Sequence, residues 1–361
     1  MTLADKQNIS TLTRLNKASF SFNCVLLFAF IALLGGCNRG PEIIKISGSK
    51  MGTSYHVTIV ADQPAPVDLA KQIEQTLDRV DQSMSTYKVD SEISQFNQLD
   101  VGQRLVISDD FDQVLRITRK VWQKSGGTLD PTVGPLVDIW GFGPTFTGDV
   151  VPSDSAIQRS LASIGFDAVN RTVNNQQILL SKSRPLRLDL SAVAKGYAVD
   201  LVADLLEMNA LPDYLVEVGG ETRVSGLNPE GDPWRLAIES PSLTEAVAQV
   251  LNLEAGAVAT SGDYRNYFER DGVRYSHTID PRSGRPTTHS VASVTVVADT
   301  CAEADAWATA LMVMNSDQAV DLANELKIPV YIVARQDEGY TVSYSETFTP
   351  LLGINELIEV Q

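Results

Sequence analysis

The chain has 361 residues, 43% of them hydrophobic and 20% charged, enough to bury a sizeable core in one large domain or two intimately packed ones. Its net charge is −16 and no Lys/Arg-rich run occurs, which speaks against a nucleic-acid partner, because phosphate backbones are held by clustered cations. An acidic protein that handles an anionic ligand must offset its own field locally, with backbone amides, a lysine or a divalent cation.

Residues 1–36 have the pattern of an export signal. Lys6, Arg14 and Lys17 precede the apolar run Phe20 to Leu34, which is short for a membrane span and ends in Leu34-Gly35-Gly36-Cys37. That ending resembles a bacterial lipobox, in which Cys37 is lipidated and becomes the new N-terminus. The alternatives are an uncleaved anchor or an ordinary signal with an incidental cysteine. Cleavage leaves Cys301 as the single cysteine beyond position 37, so no internal disulfide between core cysteines is expected, and a buried thiol is. The mature chain is more acidic still, so membrane attachment would come from the lipid and not from a basic patch. Residues 37–50 are expected to be a tether.

Beyond it, Ser54 to Val60 alternates as a strand does, and Leu69, Ile73, Leu77, Val80 and Met84 recur at helical spacing. A second helix is expected over 110–124, with Phe111, Val114, Leu115, Val121 and Trp122 on one side. The stretch 125–148 is rich in Gly and Pro, as a shaped loop would be. Ser153 is placed to cap a helix carrying Ile157, Leu161 and Ile164. Further helices are expected at 192–209 and 301–326. Strand-like runs occupy Tyr214–Val218, Arg235–Glu239, Val250–Leu253, Val291–Val297 and Pro329–Val333. Strands outnumber helices without alternating regularly with them, which favours an α+β fold, mixed or antiparallel sheets sandwiched with helices, over a doubly wound parallel sheet.

Four stretches look unusual for structure alone: Met51-Gly52-Thr53 with the later Met84-Ser85-Thr86-Tyr87; Ser125 to Gly143; Asp189 to Tyr197; and the C-terminal set TSGDYRNYF (260–268), HTIDPRSGRP (277–286) and AEADAWATALMVM (302–314). In the third, Ser191 stands where a helix would begin and its hydroxyl could accept a first-turn amide, while the helix start favours a bound anion. Lys195 falls one turn inside, and Asp189 just outside could accept from a ligand. A plain helix cap with a surface lysine would look the same. Asp305 and Thr309, four apart, project from one helix face, and their oxygens suit magnesium, which needs few protein donors beside phosphate and water. Such pairs are common in helices. His277 precedes Asp280-Pro281-Arg282-Ser283-Gly284, a tight turn that is either a bland strand connection or a cover over a ligand. No P-loop, GxGxxG, GxSxG or HExxH motif is present.

Taken in order, MSTY, SEISQFN (91–97), DPTVGPLVDIWGFG, DLSAVAKGY, EVGGE (217–221), TSGDYRNYF, HTIDPRSGRP and EADAWATALMV resemble the ApbE family of FAD:protein FMN transferases, over roughly residues 45–350. The resemblance implies an ApbE-like domain at 51–355 with FAD as substrate. Met51, Tyr87, Thr128, Leu129, Asp130, Asp189, Lys195 and Ile279 match the family's FAD contacts. Magnesium would be held by the Ala192 carbonyl and the side chains of Asp305 and Thr309. One departure is Ala308, where many members carry aspartate. The implied reaction passes FMN from FAD to a Thr or Ser hydroxyl of an acceptor protein and releases AMP, with His277 or Asp280 as candidate base. The acceptor would be an extracytoplasmic flavoprotein subunit of a redox-pump type complex, and the enzyme would sit lipid-anchored on the periplasmic side of a bacterial membrane, the inner one favoured. The alternatives are a magnesium-dependent FAD pyrophosphatase and a non-catalytic flavin-binding lipoprotein.

Overall fold

The computed structural model describes residues 40–143, 151–241, 247–263, 267–337 and 339–352. The expected export signal and Cys37 lie outside the described residues. Chain contacts divide the protein into Met1–Pro41 and Glu42–Gln361, and the second unit holds the whole described fold except Gly40 and Pro41.

A single antiparallel sheet organises it. Its strands are β1 (Glu42–Lys50), β2 (Thr53–Ala61), β3 (Asp213–Val218), β4 (Glu221–Ser225), β5 (Ala255–Gly262), β6 (Val291–Ala298), β7 (Val330–Arg335) and β8 (Tyr340–Tyr344). Their order in space is their order in the chain. The fold is therefore a meander whose connections, not whose sheet, carry the other elements. β2 to β3 passes through α1 (Leu69–Met84), α2 (Glu92–Gln98), α3 (Asp109–Lys124), α4 (Gly134–Ile139), α5 (Asp154–Leu161) and α6 (Ser191–Met208); β6 to β7 passes through α7 (Cys301–Met312) and α8 (Ser316–Leu326).

The apolar patterns explain the layers. α6 and α7 are apolar nearly all round and lie buried, α7 directly on β5 and β6. α1 and α3 are amphipathic and close over them from outside, burying Ile73, Leu77, Val80, Phe111, Val114 and Val121 in one continuous core. The far face of the sheet is covered by the hairpin Trp234–Glu239/Val247–Leu253 and by Phe348. β6, VASVTVVA, is thus buried on both faces, Ser293 and Thr295 included, and its mostly apolar, β-branched composition reflects that. The expected α+β class holds.

Three local expectations need correction. From Glu42 onward the proposed tether is a strand, paired residue for residue from Glu42↔Ala61 to Lys50↔Thr53. Met51 and Gly52 both have positive φ, as a two-residue type I′ hairpin requires. Gly48 makes this edge strand possible, because a Cβ there would fall 2.7 Å from the ring of Tyr55, which lies over it. Second, Ser191 does not cap α6. It is the first helical residue, and the Asp189 carboxylate accepts its amide at 2.9 Å. Third, the helix expected over 301–326 is two, because Asn315 starts a new one by accepting the Gln318 amide at 3.0 Å. By contrast Ser153 caps α5 as expected, accepting from Ala156.

Candidate active site

One end of the meander gathers the turn Met51–Gly52, the turn Gly219–Gly220 that joins β3 to β4, and the last residues of β5. α6 enters at this end. A Cβ on Gly219 would lie 2.9 Å from the Thr53 methyl and 3.4 Å from Lys195 Cδ, so the aliphatic stem of Lys195 runs across a glycine turn with little room to spare. Its ammonium then reaches Glu221 Oε1 at 2.8 Å and stands 3.6 Å from Asp305 Oδ2.

Asp305 is held there by helix packing. A Cβ on Gly196 would fall 2.6 Å from the Cys301 carbonyl carbon and 2.8 Å from the Ala302 nitrogen, so α6 and α7 meet backbone to backbone. At this crossing the Gly196 amide donates to Asp305 Oδ2 at 3.2 Å. The regular helical acceptor of that amide is the Ala192 carbonyl, so Ala192 and Asp305 share one donor. One turn on, Asp200 accepts the amides of Cys301 at 2.8 Å and Ala302 at 2.9 Å, placing a carboxylate of α6 on the positive end of α7, and Arg223 pairs with that carboxylate at 3.0 Å. Thr309, one turn beyond Asp305, has its hydroxyl 3.3 Å from that of Ser261 on β5. Ala308 is wholly buried in the core.

The charges are unbalanced. Burial pushes the Glu221 carboxyl up to about 7, the Asp305 charge pushes it the same way, and Lys195 pulls against both. Asp305 is also raised by burial, opposed by Lys195 and the Gly196 amide. Burial works against the charge of Lys195, but Asp305 and Glu221 outweigh it and hold the ammonium above its ordinary value. Two carboxylates therefore face one ammonium, and Glu221 Oε2 is buried without a hydrogen-bond partner. The described residues contain no cluster of three or more His, Cys, Asp or Glu able to hold a metal. The donors present, a carboxylate, a hydroxyl and a helix carbonyl beside surplus negative charge, fit a hard divalent cation that keeps most of its shell for water or phosphate.

The other predicted residues fall into two groups. Thr128, Leu129 and Asp130 are buried, and the Pro131 carbonyl accepts the Asp189 amide at 2.7 Å, which ties this loop to the start of α6. Asn97 holds the approach by donating to Leu188 O at 2.9 Å and accepting from Leu188 N at 2.7 Å. Thr128 Oγ1 has no partner, whereas the Asp130 oxygens accept from Thr132 N, Thr132 Oγ1 and Phe166 N and so brace the loop itself. Met51 is half-buried on its hairpin, and Tyr87 is 83% exposed on the turn after α1.

The second group is aromatic. Trp140, Tyr275, Phe268 and Phe142 stack in series with ring centroids 5.6, 5.0 and 5.5 Å apart, and His277 meets the Phe142 ring edge-on at 6.3 Å. Trp140 donates to the Gly284 carbonyl at 2.9 Å, and Ile279 is buried in this cluster. Asp280 is engaged within its own turn: its carboxylate accepts from Arg282 N, Nε and Nη2 at 2.9 Å each. Sequence reasoning overlooked Glu221 and Ser261 as site residues. Each lies in a motif that had been noticed, and an acidic side chain straight after a Gly-Gly turn was the available signal.

The fold and sequence both have known counterparts. The family model described as "ApbE family" matches residues 51–332. An FAD:protein FMN transferase of Vibrio cholerae is 43% identical over 339 residues, covering 91% of this chain and 99% of that protein. The Escherichia coli K12 protein of the same name is 37% identical over 343 residues, covering 92% and 98%. Among solved structures, the flavin transferase ApbE from Vibrio cholerae has a TM-score of 0.79 at 40% identity, covering 86% of this chain and all of that one. The apo flavinyl transferase ApbE of Pseudomonas stutzeri has a TM-score of 0.81 at 36% identity, covering 88% and 99%. With its fold, its motifs and nearly its full described length shared with these proteins, the chain belongs to the ApbE family.

Proposed function

We propose that this chain transfers FMN from FAD to a hydroxyl of an acceptor protein, with magnesium, and releases AMP. The observation that carries the reading is the cluster Lys195–Asp305–Glu221, with Thr309 and the start of α6, at one open end of the sheet. Lys195, with 30% of its side chain exposed, reaches toward solvent at a helix start where amides also favour an anion. There it pairs with diphosphate oxygens. Asp305, Thr309 and the Ala192 carbonyl would hold Mg2+, which supplies charge neutralisation on the diphosphate.

The chain's own contribution is positioning and electrostatics, as in other phosphoryl transfers. The loop Thr128–Asp130, Met51, Asp189 and Ile279 orient the nucleotide, and the exposed ring of Tyr87 offers a face for stacking. The acceptor's Thr or Ser oxygen bonds to the FMN-side phosphorus, the bridging P–O bond breaks, and AMP leaves with that bridging oxygen. His277 or Asp280 would take the hydroxyl proton; the Asp280 carboxylate is bound by Arg282 within its own turn, and His277 lies beside the Phe142 ring. Attachment through a lipid on Cys37 to the periplasmic side of a bacterial membrane, the inner one favoured, would put the enzyme beside the extracytoplasmic flavoprotein subunit of a redox-pump complex.

The test is incubation of the purified protein with FAD, Mg2+ and an acceptor domain, with and without chelator. Flavin fluorescence fixed to the acceptor band on a denaturing gel, lost with chelator, supports transfer. AMP without labelled protein would make the chain an FAD pyrophosphatase, and tight FAD binding without AMP a carrier.

A further inference from the structure

Lys195 uses only half of Glu221. Oε1 takes the ammonium at 2.8 Å, while Oε2 meets no donor although the side chain is only 7% exposed. Glu221 opens β4 directly after the Gly219–Gly220 turn and is paired with Val218, so its place is set by sheet register and not by a loop. Asp305 approaches the same ammonium from α7. If Glu221 served only to hold Lys195, its second oxygen would be expected to find a backbone or side-chain donor, as buried carboxylates ordinarily do. Instead it is left bare where surplus negative charge already accumulates.

We infer that Glu221 is a further carboxylate of the divalent-cation site, presenting Oε2 to the ion directly or through one bound water. This rests on the reading of Asp305 and Thr309 as cation ligands and adds a residue to it. Two carboxylates match the 2+ charge, and with the ion in place Lys195 is released from neutralising them and is free to meet phosphate. Asp305 and Thr309 alone bring one carboxylate, and Ala308 brings none.

The experiment is a titration of the purified full chain with Mn2+, in the absence of FAD, with free Mn2+ read by electron paramagnetic resonance; Mn2+ shares magnesium's preference for oxygen ligands. Glu221→Gln should weaken Mn2+ at least tenfold. Glu221→Asp, which keeps the charge and shortens the reach, should also weaken it, by less. Asp305→Asn is the control for the site itself. Melting curves in chelator check that each variant is folded, and Mn2+ should raise the melting temperature of the parent chain more than that of Glu221→Gln. Parent-like Mn2+ affinity in both Glu221 variants, with affinity lost in Asp305→Asn, would overturn the inference and leave Glu221 as a holder of Lys195. Parent-like affinity in Asp305→Asn would overturn the cation site as a whole.

Discussion

Gly196→Ala tests the geometry on which the site depends. In an exposed helix the change would stabilise by about 1 kcal/mol, since alanine is the better helix former. Here the new methyl would lie 2.6 Å from the Cys301 carbonyl carbon and 2.8 Å from the Ala302 nitrogen, backbone atoms of α7 that no side-chain rotation can move aside. Ordinary contact requires α6 and α7 to separate by about 1 Å, and overpacking of this kind costs about 1–3 kcal/mol. The clash with unyielding backbone is expected to outweigh the propensity gain, leaving a net loss of up to about 2 kcal/mol and a melting temperature lower by a few degrees for a domain of this size. The same separation pulls Asp305 from the Gly196 amide and from Lys195, so affinity for divalent cations should fall together with stability. Calorimetry with chelator, followed by cation titration, reads both. A Gly196→Ala protein that melts at or above the parent would show that the two helices are not in backbone contact, and the account of how Asp305 is held would fail with it.

Other expectations follow from the same cluster. Glu221 has a folded-state pKa near 7 against an ordinary value of 4.5, so its contribution to stability is complete below pH 4.5 and lost as pH rises through 7. The loss is on the order of 3 kcal/mol before solvent relaxation is allowed for, and chelated Glu221→Gln should show a flatter melting profile between pH 5 and 8 than the parent. If the two profiles run parallel, Glu221 is not a strained carboxylate. Asp200→Ala removes the acceptor for the first two amides of α7 and should cost about 1–2 kcal/mol in denaturant unfolding, whereas Asp200→Asn, which keeps an acceptor oxygen, should cost less. Equal effects from the two variants would mean that charge and not capping is what Asp200 supplies. Cys37→Ser should abolish lipid attachment and leave a soluble or uncleaved product; unchanged membrane partitioning and processing would remove the case for a lipoprotein.

Local physics made much of this fold legible from its sequence. The spacing of Leu69, Ile73, Leu77, Val80 and Met84 marks a helix with one buried face, and the structure has it over the same span. Ser153 announces α5 because capping involves residues three apart. β6 announces itself by its concentration of valines. Such signals need only the backbone's own periodicity. β1 was missed for the complementary reason: its second half, Ser47-Gly48-Ser49, is small and polar, and the Tyr55 ring that lies over Gly48 comes from the partner strand. The break after α7 was missed because Asn315 acts on a helix that begins after it, in which Ala319 and Ala323 resume the helical spacing of buried residues.

The motifs identified the family, but not why their residues belong together. Lys195, Glu221 and Asp305 come from three distant stretches, and only the sheet register and a glycine-wide helix crossing bring them to one ammonium. A sequence records which oxygens are available; burial decides which of them are left without water, and burial is a property of the assembled layers. That is why Glu221, an ordinary acidic residue after two glycines, becomes a raised and half-satisfied carboxylate only once α6, α7 and the strands have closed around it.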